Sequence, residues 1–137
     1  MKAVMATCAL ALFSCTSARN AALDGVSAEP ELYGAGLFST GAWDYFMAWS
    51  PDQTDVFFDH ANDEFTSFEI LETRLDRSAH WRAPVHPGFA NRWSNSDPHI
   101  TVDGRRLFFI SNRPLPGDTG QGERQSYDVW YVDRDAR

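Results

Sequence analysis

Four histidines and a surplus of carboxylates are the side chains with the most obvious capacity for chemistry, and their spacing argues against a metal or acid–base centre. His60, His80, His86 and His99 form neither HExxH nor HxH, so nothing sets two imidazoles on one face to hold a zinc ion. Asp59, Asn62, Asp63 and Glu64 make a short acidic loop. It lacks the alternating oxygen ligands, the Gly and the terminal Glu of a Ca²⁺ loop, and a solvated turn is expected. Paired carboxylates can hydrolyse glycosides, but among 19 Asp and Glu some pair at a suitable distance arises by chance and none stands out. Thr101-Val102-Asp103-Gly104 echoes the box Ser-x-Asp-x-Gly-x-Thr-Trp, yet its Gly comes one residue early and no Trp follows. A Gly-x-Ser-x-Gly elbow, a phosphate-binding glycine loop and a thiol beyond Cys15 are all absent. The expectation is a non-catalytic chain with no metal and no cofactor. Aromatic side chains remain as binding groups: Trp43, Tyr45, Trp49, Trp93 and Trp130. Trp49 and Trp130 sit in strand patterns and are expected in the core. Trp93, beside Asn91 and Arg92 in a loop, is the candidate partner contact.

The elements that must position these groups are short strands. Ile100 to Val102 and Leu107 to Ile110 flank Asp103-Gly104, a hairpin signature, with Pro98 expected at a strand start or edge and Asn112-Arg113-Pro114 ending the second strand. The chain repeats this unit. A shift of 51 residues lays Trp49 to Phe58 on Ile100 to Phe109, with Asp52 on Asp103 and both Phe pairs in register. A shift of 59 lays Ser67-Phe68-Glu69-Ile70 on Ser126-Tyr127-Asp128-Val129, the extra residues falling in the Gly- and Pro-rich loop Leu115 to Glu123. Strands are expected at Phe46 to Trp49, Val56 to Asp59, Ser67 to Thr73, near Trp81 to Pro84, at His99 to Val102, Leu107 to Ser111 and Asp128 to Val132, with a short addition at Leu37 to Ser39. Phe68, Leu71 and Leu75 also fit helical spacing, but the β-rich counterpart Tyr127 to Val132 decides for a strand.

Length and composition allow one small domain: 137 residues, 43% hydrophobic, with ten Phe, five Trp and four Tyr. Residues 1 to 15 read as an export signal, in which Lys2 precedes an apolar run from Ala3 to Phe13 too short to span a bilayer. Leu12-Phe13-Ser14-Cys15 resembles a bacterial lipobox that would lipidate Cys15, although Phe13 departs from the pattern. Cleavage after Ala18 or near Ala21-Ala22 is the alternative. Cys8 would be discarded, so no disulfide is expected in the mature chain. Without residues 1 to 14, eleven Arg face 19 acidic residues, a balance of −8. That argues against nucleic acid and against charge-driven adhesion to anionic lipid; any membrane attachment would be through the lipid anchor. Residues 16 to 36, rich in Ala, Ser, Gly, Glu and Pro, read as a linker.

Ser96-Asp97-Pro98, Val102 to Phe109, Ser111-Asn112-Arg113-Pro114 and Tyr127-Asp128-Val129-Trp130 together resemble the repeat of TolB-like, WD40-like (PD40-type) β-propellers. The first unit matches with Ser50-Pro51-Asp52 but carries Gln53 where that family has Gly, and Asp59-His60 replaces Ser-Asn-Arg. Trp81-Arg82-Ala83-Pro84 resembles the Trp-x-x-Pro that opens the family's outer strand. The resemblance implies an all-β fold over residues 37 to 137: about two blades of four-stranded antiparallel sheet, with Asp52, Asp103 and Gly104 as the repeat turns. Two units do not close a ring, so the remaining blades are expected from a missing C-terminal part or from other chains. The implied role is a non-catalytic, exported scaffold in the periplasm or anchored at the outer membrane, binding protein or cell-envelope components. The alternative is the propeller portion of a larger enzyme, such as a prolyl-oligopeptidase-like hydrolase or a glycan-active enzyme.

Overall fold

The β-branched and aromatic runs that alternate with turn residues form six strands among the described residues, the outcome their composition favours. The computed structural model describes residues 29–90, 92–119 and 122–135. The export signal, Cys15 and most of the linker lie outside the described residues. The chain divides after Glu31, and the strands belong to the unit beginning at Leu32. β1 (Trp43–Trp49), β2 (Asp55–Ala61) and β3 (Phe68–Arg74) make one antiparallel sheet in the order β1-β2-β3. β4 (Asn95–Ile100), β5 (Arg106–Ser111) and β6 (Asp128–Asp133) make a second in the order β4-β5-β6. The fold is all-β, and the segment that also fitted a helix is strand β3.

The repeat holds at the level of register. Trp49 pairs Val56 as Ile100 pairs Leu107, and Phe57 pairs Glu72 as Phe108 pairs Tyr131. Each first strand is bulged, at Phe46 in β1 and at Asp97-Pro98 in β4, and Phe46 and Asp97 both have positive φ (42° and 56°). Pro98 is tolerated because it lies in an edge strand at a bulge. The turns match as well. Gln53 N–H donates to the Ser50 carbonyl and Gly104 N–H to the Thr101 carbonyl, and both residues are left-handed (φ 59° and 71°). The ion pair across β2 and β3, Arg74 with Asp55 at 2.8 Å, returns across β5 and β6 with its charges exchanged, Arg106 with Asp133 at 2.8 Å.

Three expectations are corrected. β4 ends at Ile100, and Val102 is in the turn, 96% exposed. Five residues, Thr101 to Arg105, therefore separate the strands, with Gly104 supplying positive φ after a turn, rather than a two-residue Asp-Gly turn. Each sheet has three strands among the described residues, not four. Trp81 and Val85 make only isolated bridges, to Leu75 and Glu72, because Pro84 interrupts the ladder between them. Leu37 to Ser39 is not a strand but part of a turn. Gly36 N–H donates to the Ser39 carbonyl, and Leu37 and Phe38 N–H donate to the Gly34 carbonyl. Tyr33 to Gly36, the end of the expected linker, folds into this same turn.

Alternation gives each sheet two faces. On sheet 1, Ala48, Phe57 and Ile70 meet Ile100, Leu107 and Phe109 of sheet 2, with Phe89, Trp130 and Val132 packed alongside. The other face of sheet 1, with Trp49, Val56, Phe58 and Leu71, is covered by Leu37, Phe38 and Trp81. Polar contacts close both ends of the seam between the sheets. At one end the Arg134 guanidinium donates to Asp55 Oδ2 (2.9 Å) and to the Gly104 carbonyl (3.0 Å). At the other, Phe68 N–H and the Tyr127 hydroxyl both donate to Ser94 Oγ (2.9 and 2.7 Å).

The paired turns yield a stability prediction. Gln53→Gly relieves a left-handed side chain and should stabilise the chain by about 1 kcal/mol. Gly104→Ala should cost about 1–2 kcal/mol, since it combines positive φ with a Cβ only 3.2 Å from Pro51 Cδ. Shifts of opposite sign in the denaturant midpoint would bear this out; equal midpoints would contradict it.

Candidate functional site

The end of sheet 1 where β1 begins and β2 ends carries the most chemically distinctive surface. The loop 62–67 is built by one side chain: Asn62 Oδ1 accepts from Thr66 and Ser67 N–H, and its Nδ2 donates to Glu64 and Thr66. This wraps the chain tightly enough that Phe65 takes positive φ (55°). Its ring lies 5.4 Å from Trp43, 5.6 Å from Tyr45 and 5.0 Å from Phe68. Phe46, on the bulge, contacts Tyr45 at 5.7 Å, and Trp43 Nε1 donates to the Asp63 carbonyl (3.3 Å). Phe46, Trp43 and Phe65 are 61%, 53% and 47% exposed. Aromatic residues seldom occupy the left-handed region, and here two of them are held there while facing water.

Beneath the patch a carboxyl is wholly buried. Asp59, on β2, accepts from the Ser96 hydroxyl (2.5 Å) and Asp97 N–H (2.8 Å) through Oδ2, joining sheet 1 to the bulge of β4. Its Oδ1 has no hydrogen-bond partner among the described residues. Burial pushes its pKa up to about 7 against the two hydrogen bonds that favour the anion, and the Asp97 charge adds to the rise. Burial likewise raises the Tyr45 phenol, opposed by Ser96 and reinforced by the Asp59 and Asp97 charges. Asp59 has no exposed surface, so the arrangement suits a neutral acid that ties two sheets together better than a proton donor to a substrate.

The expected site residues are dispersed. Asp52 and Asp103 organise their turns. Asp52 Oδ1 accepts from the Ser50 hydroxyl (2.6 Å) and from Thr54, Asp103 Oδ1 from the Thr101 hydroxyl (2.5 Å) and Arg105 N–H. These hydroxyl bonds lead the lowering of both carboxyl pKa values. Trp93 is half-buried in the turn before β4, with the Arg92 guanidinium 4.6 Å from its ring centre. Trp49 and Trp130 pack in the two cores, while Trp43 belongs to the exposed patch. The Ser111-Asn112-Arg113 element acts structurally. Asn112 Oδ1 accepts from Ser94 N–H (3.0 Å), and Arg113 donates to the Phe89 carbonyl, Asn95 Oδ1 and Ser111 Oγ while lying over Phe109. Burial lowers the Arg113 pKa. Among the described residues no three His, Cys, Asp or Glu side chains come together as a metal site.

Known protein families, curated proteins and solved structures were all compared with the chain. None of the three comparisons finds a match. The patch therefore stands on its geometry. Nothing in the residue types singled out Phe46 or Phe65, and Asp59, expected in a solvated acidic turn, is instead wholly buried on β2; the one available signal was the repeat, which aligns Phe46 with Asp97 and Asp59 with Ile110.

Asp59 predicts a pH dependence. Its folded-state pKa, about 7, lies above the ordinary 3.8, so the folded chain holds the extra proton between those values. The contribution to stability is complete below about pH 4 and is lost as pH rises through 7. Asp59→Asn keeps an acceptor for Ser96 and Asp97 but cannot ionise. At pH 8 it should be more stable than the parent by about 3–4 kcal/mol, with the two equal within about 1 kcal/mol below pH 4. Parallel stability curves across this range would contradict the assignment.

Proposed function

We propose that this chain is a non-catalytic, exported binding module of the β-propeller type, whose sheets are successive blades and whose aromatic end holds a protein partner of the cell envelope. The observation that carries the binding role is the pair of phenylalanines, Phe46 and Phe65, kept exposed in left-handed backbone beside Trp43. Strain of about 1–3 kcal/mol at each such residue persists only where the surroundings enforce it. A bulge and an Asn62-centred loop do so here, and the product is a projecting cluster of rings. Asp44, Asp63 and Glu64 lie in the strand and loop that carry the rings, and the whole chain has a formal charge of −7. The partner that fits is a segment presenting apolar side chains flanked by Lys or Arg.

The blade reading is supported by the packing order. Val56 and Phe58, on the face of sheet 1 turned away from sheet 2, are the repeat counterparts of Leu107 and Phe109, which face sheet 1. The two sheets thus stack head to tail, as blades do. An exported lipoprotein or soluble envelope protein with such a stack would serve as a scaffold.

The test is affinity recovery from an envelope fraction with the intact chain, Phe65→Gly and Trp43→Ala. Phe65→Gly removes a ring and relieves positive φ together, so it should fold at least as stably as about 1 kcal/mol below the parent while recovering the partner at least tenfold less well. A control at Asp103→Asn, on an exposed turn, should leave recovery unchanged. Equal recovery by all variants would refute the patch as the binding surface.

A further inference from the structure

The repeat assigns a partner to each of the two outer faces. Residues 33–39 cover the outer face of sheet 1, with the Phe38 ring 5.3 Å from Phe58, 5.5 Å from Trp81 and 6.2 Å from Trp49, and stacked on Tyr33 at 5.5 Å. The counterpart face on sheet 2 is covered by a whole sheet. The turn 33–39 therefore occupies, on sheet 1, the place that a neighbouring sheet takes on sheet 2. It does not fill it: a groove lined by Tyr33, Phe38, Asp44, Tyr45, Met47 and Phe58 runs between the turn and β1. At the other end of the stack, the outer face of sheet 2 presents Phe108, Ile110, Val129 and Tyr131 with no sheet over it among the described residues, Val129 being 72% and Tyr131 53% exposed. These four are the counterparts of Phe57, Asp59, Ile70 and Glu72, which form the face of sheet 1 that does cover a sheet.

The two outer faces also match in polarity. Within the chain, Asp59 meets the N–H of Asp97 across the seam. The counterparts of that pair are Ile110 on the outer face of sheet 2 and Phe46 on β1, so an acid with a polar bulge on one seam becomes an isoleucine with a phenylalanine on the other. Both sides have changed together, and both remain available, Phe46 at the bulge and Ile110 half-buried.

We infer that the face of sheet 1 beneath residues 33–39 and the outer face of sheet 2 are the two halves of a head-to-tail interface between copies of this chain, with Phe38 as a plug that the Phe108 face of a second copy displaces. The inference rests on the head-to-tail reading of the two sheets given above. The contact is heterologous, so it produces a ring where the rotation closes and an open stack where it does not. The plug keeps the free chain monomeric, since the copy must first displace Tyr33, Leu37 and Phe38 from an aromatic cluster.

The test uses the full chain with Phe38→Asp and, separately, Gly34→Val. The latter unseats the plug indirectly, because Gly34 has φ +58° and a Cβ there would lie 2.5 Å from Phe38 Cδ2. Mass by light scattering and sedimentation across a wide concentration range should show the parent as a monomer and both variants as concentration-dependent oligomers. Adding Ile110→Asp or Tyr131→Asp to either variant should return it to monomer. The inference is overturned if folded plug variants stay monomeric, if oligomers persist after the sheet 2 substitutions, or if both plug variants lose their β-sheet circular dichroism, since the turn would then be core and not an exchangeable cover. Monomeric plug variants that still recover the envelope partner would remove this interface and leave the aromatic patch standing. Oligomers that form while Phe65→Gly recovers the partner normally would do the reverse.

Discussion

Asp59 lies on β2 inside the seam between the sheets, removed from solvent, with Ser96 and the N–H of Asp97 on one oxygen and no partner among the described residues on the other. Burying a carboxyl with one unsatisfied oxygen is costly, and burial raises its pKa to about 7, so that the group is uncharged below neutral pH. The contact is made at the β4 bulge, where Asp97 has positive φ. One buried group thus couples the backbone irregularity of the second sheet to the core of the first. At the far end of the same seam, Asp55 is flanked by Arg74 from its own sheet and Arg134 from the other, at 2.8 and 2.9 Å. Between these polar ends lie Phe57, Ile70, Leu107 and Phe109, whose burial supplies the attraction. The polar ends fix the register in which that apolar middle is buried.

A repeat gives a fold its regularity, and departures from the repeat give it direction. The hairpin geometry, the bulge and the left-handed turn residue recur in both units. What changes is the chemistry at matched positions: Asp55 with Arg74 becomes Arg106 with Asp133, Asp59 becomes Ile110, Leu75 becomes Arg134. Each change makes one seam unlike the next. The Arg134 contact to Asp55 has no equivalent at Leu75, and the acid at Asp59 has none at Ile110, so a sheet cannot slide into its neighbour's place without losing polar partners. This is specificity by mismatch, imposed on a common backbone.

Much of this was legible in the sequence because hydrophobic alternation and turn chemistry act locally. The shifts of 51 and 59 residues located five of the six strands to within a few residues and identified β3 as a strand against its own helical spacing. The Phe57-Phe58 and Phe108-Phe109 pairs announced that both faces of each sheet would be apolar. Legibility failed where the deciding force was not local. The left-handed Phe46 and Phe65 arise from a bulge and from an Asn62 side chain bonding back to the main chain, neither of which leaves a residue-type signature of the kind Gly104 leaves. Tyr33 to Gly36 looked like tether because Gly, Ala and Glu dominate their surroundings, yet one Phe two residues later anchors them to a sheet. Trp93 drew attention for its type and neighbours and is half-buried with Arg92 near its ring, while Trp43, less conspicuous in sequence, is exposed. Ser111-Asn112-Arg113 was visible as a motif, but its role as a buried clamp on Ser94, Asn95 and Phe89 could only come from the packing.

The central claim is that neither sheet is stable by itself and that the seam makes them one cooperative unit. Residue-resolved native-state hydrogen exchange measures this directly. Amides in the middle strands β2 and β5 should open with the same free energy and the same dependence on denaturant, because both are released only when the seam breaks. If the amides of β4, β5 and β6 exchange through a separate, lower-energy opening while β1 to β3 stay protected, the two sheets are independent and the account is wrong.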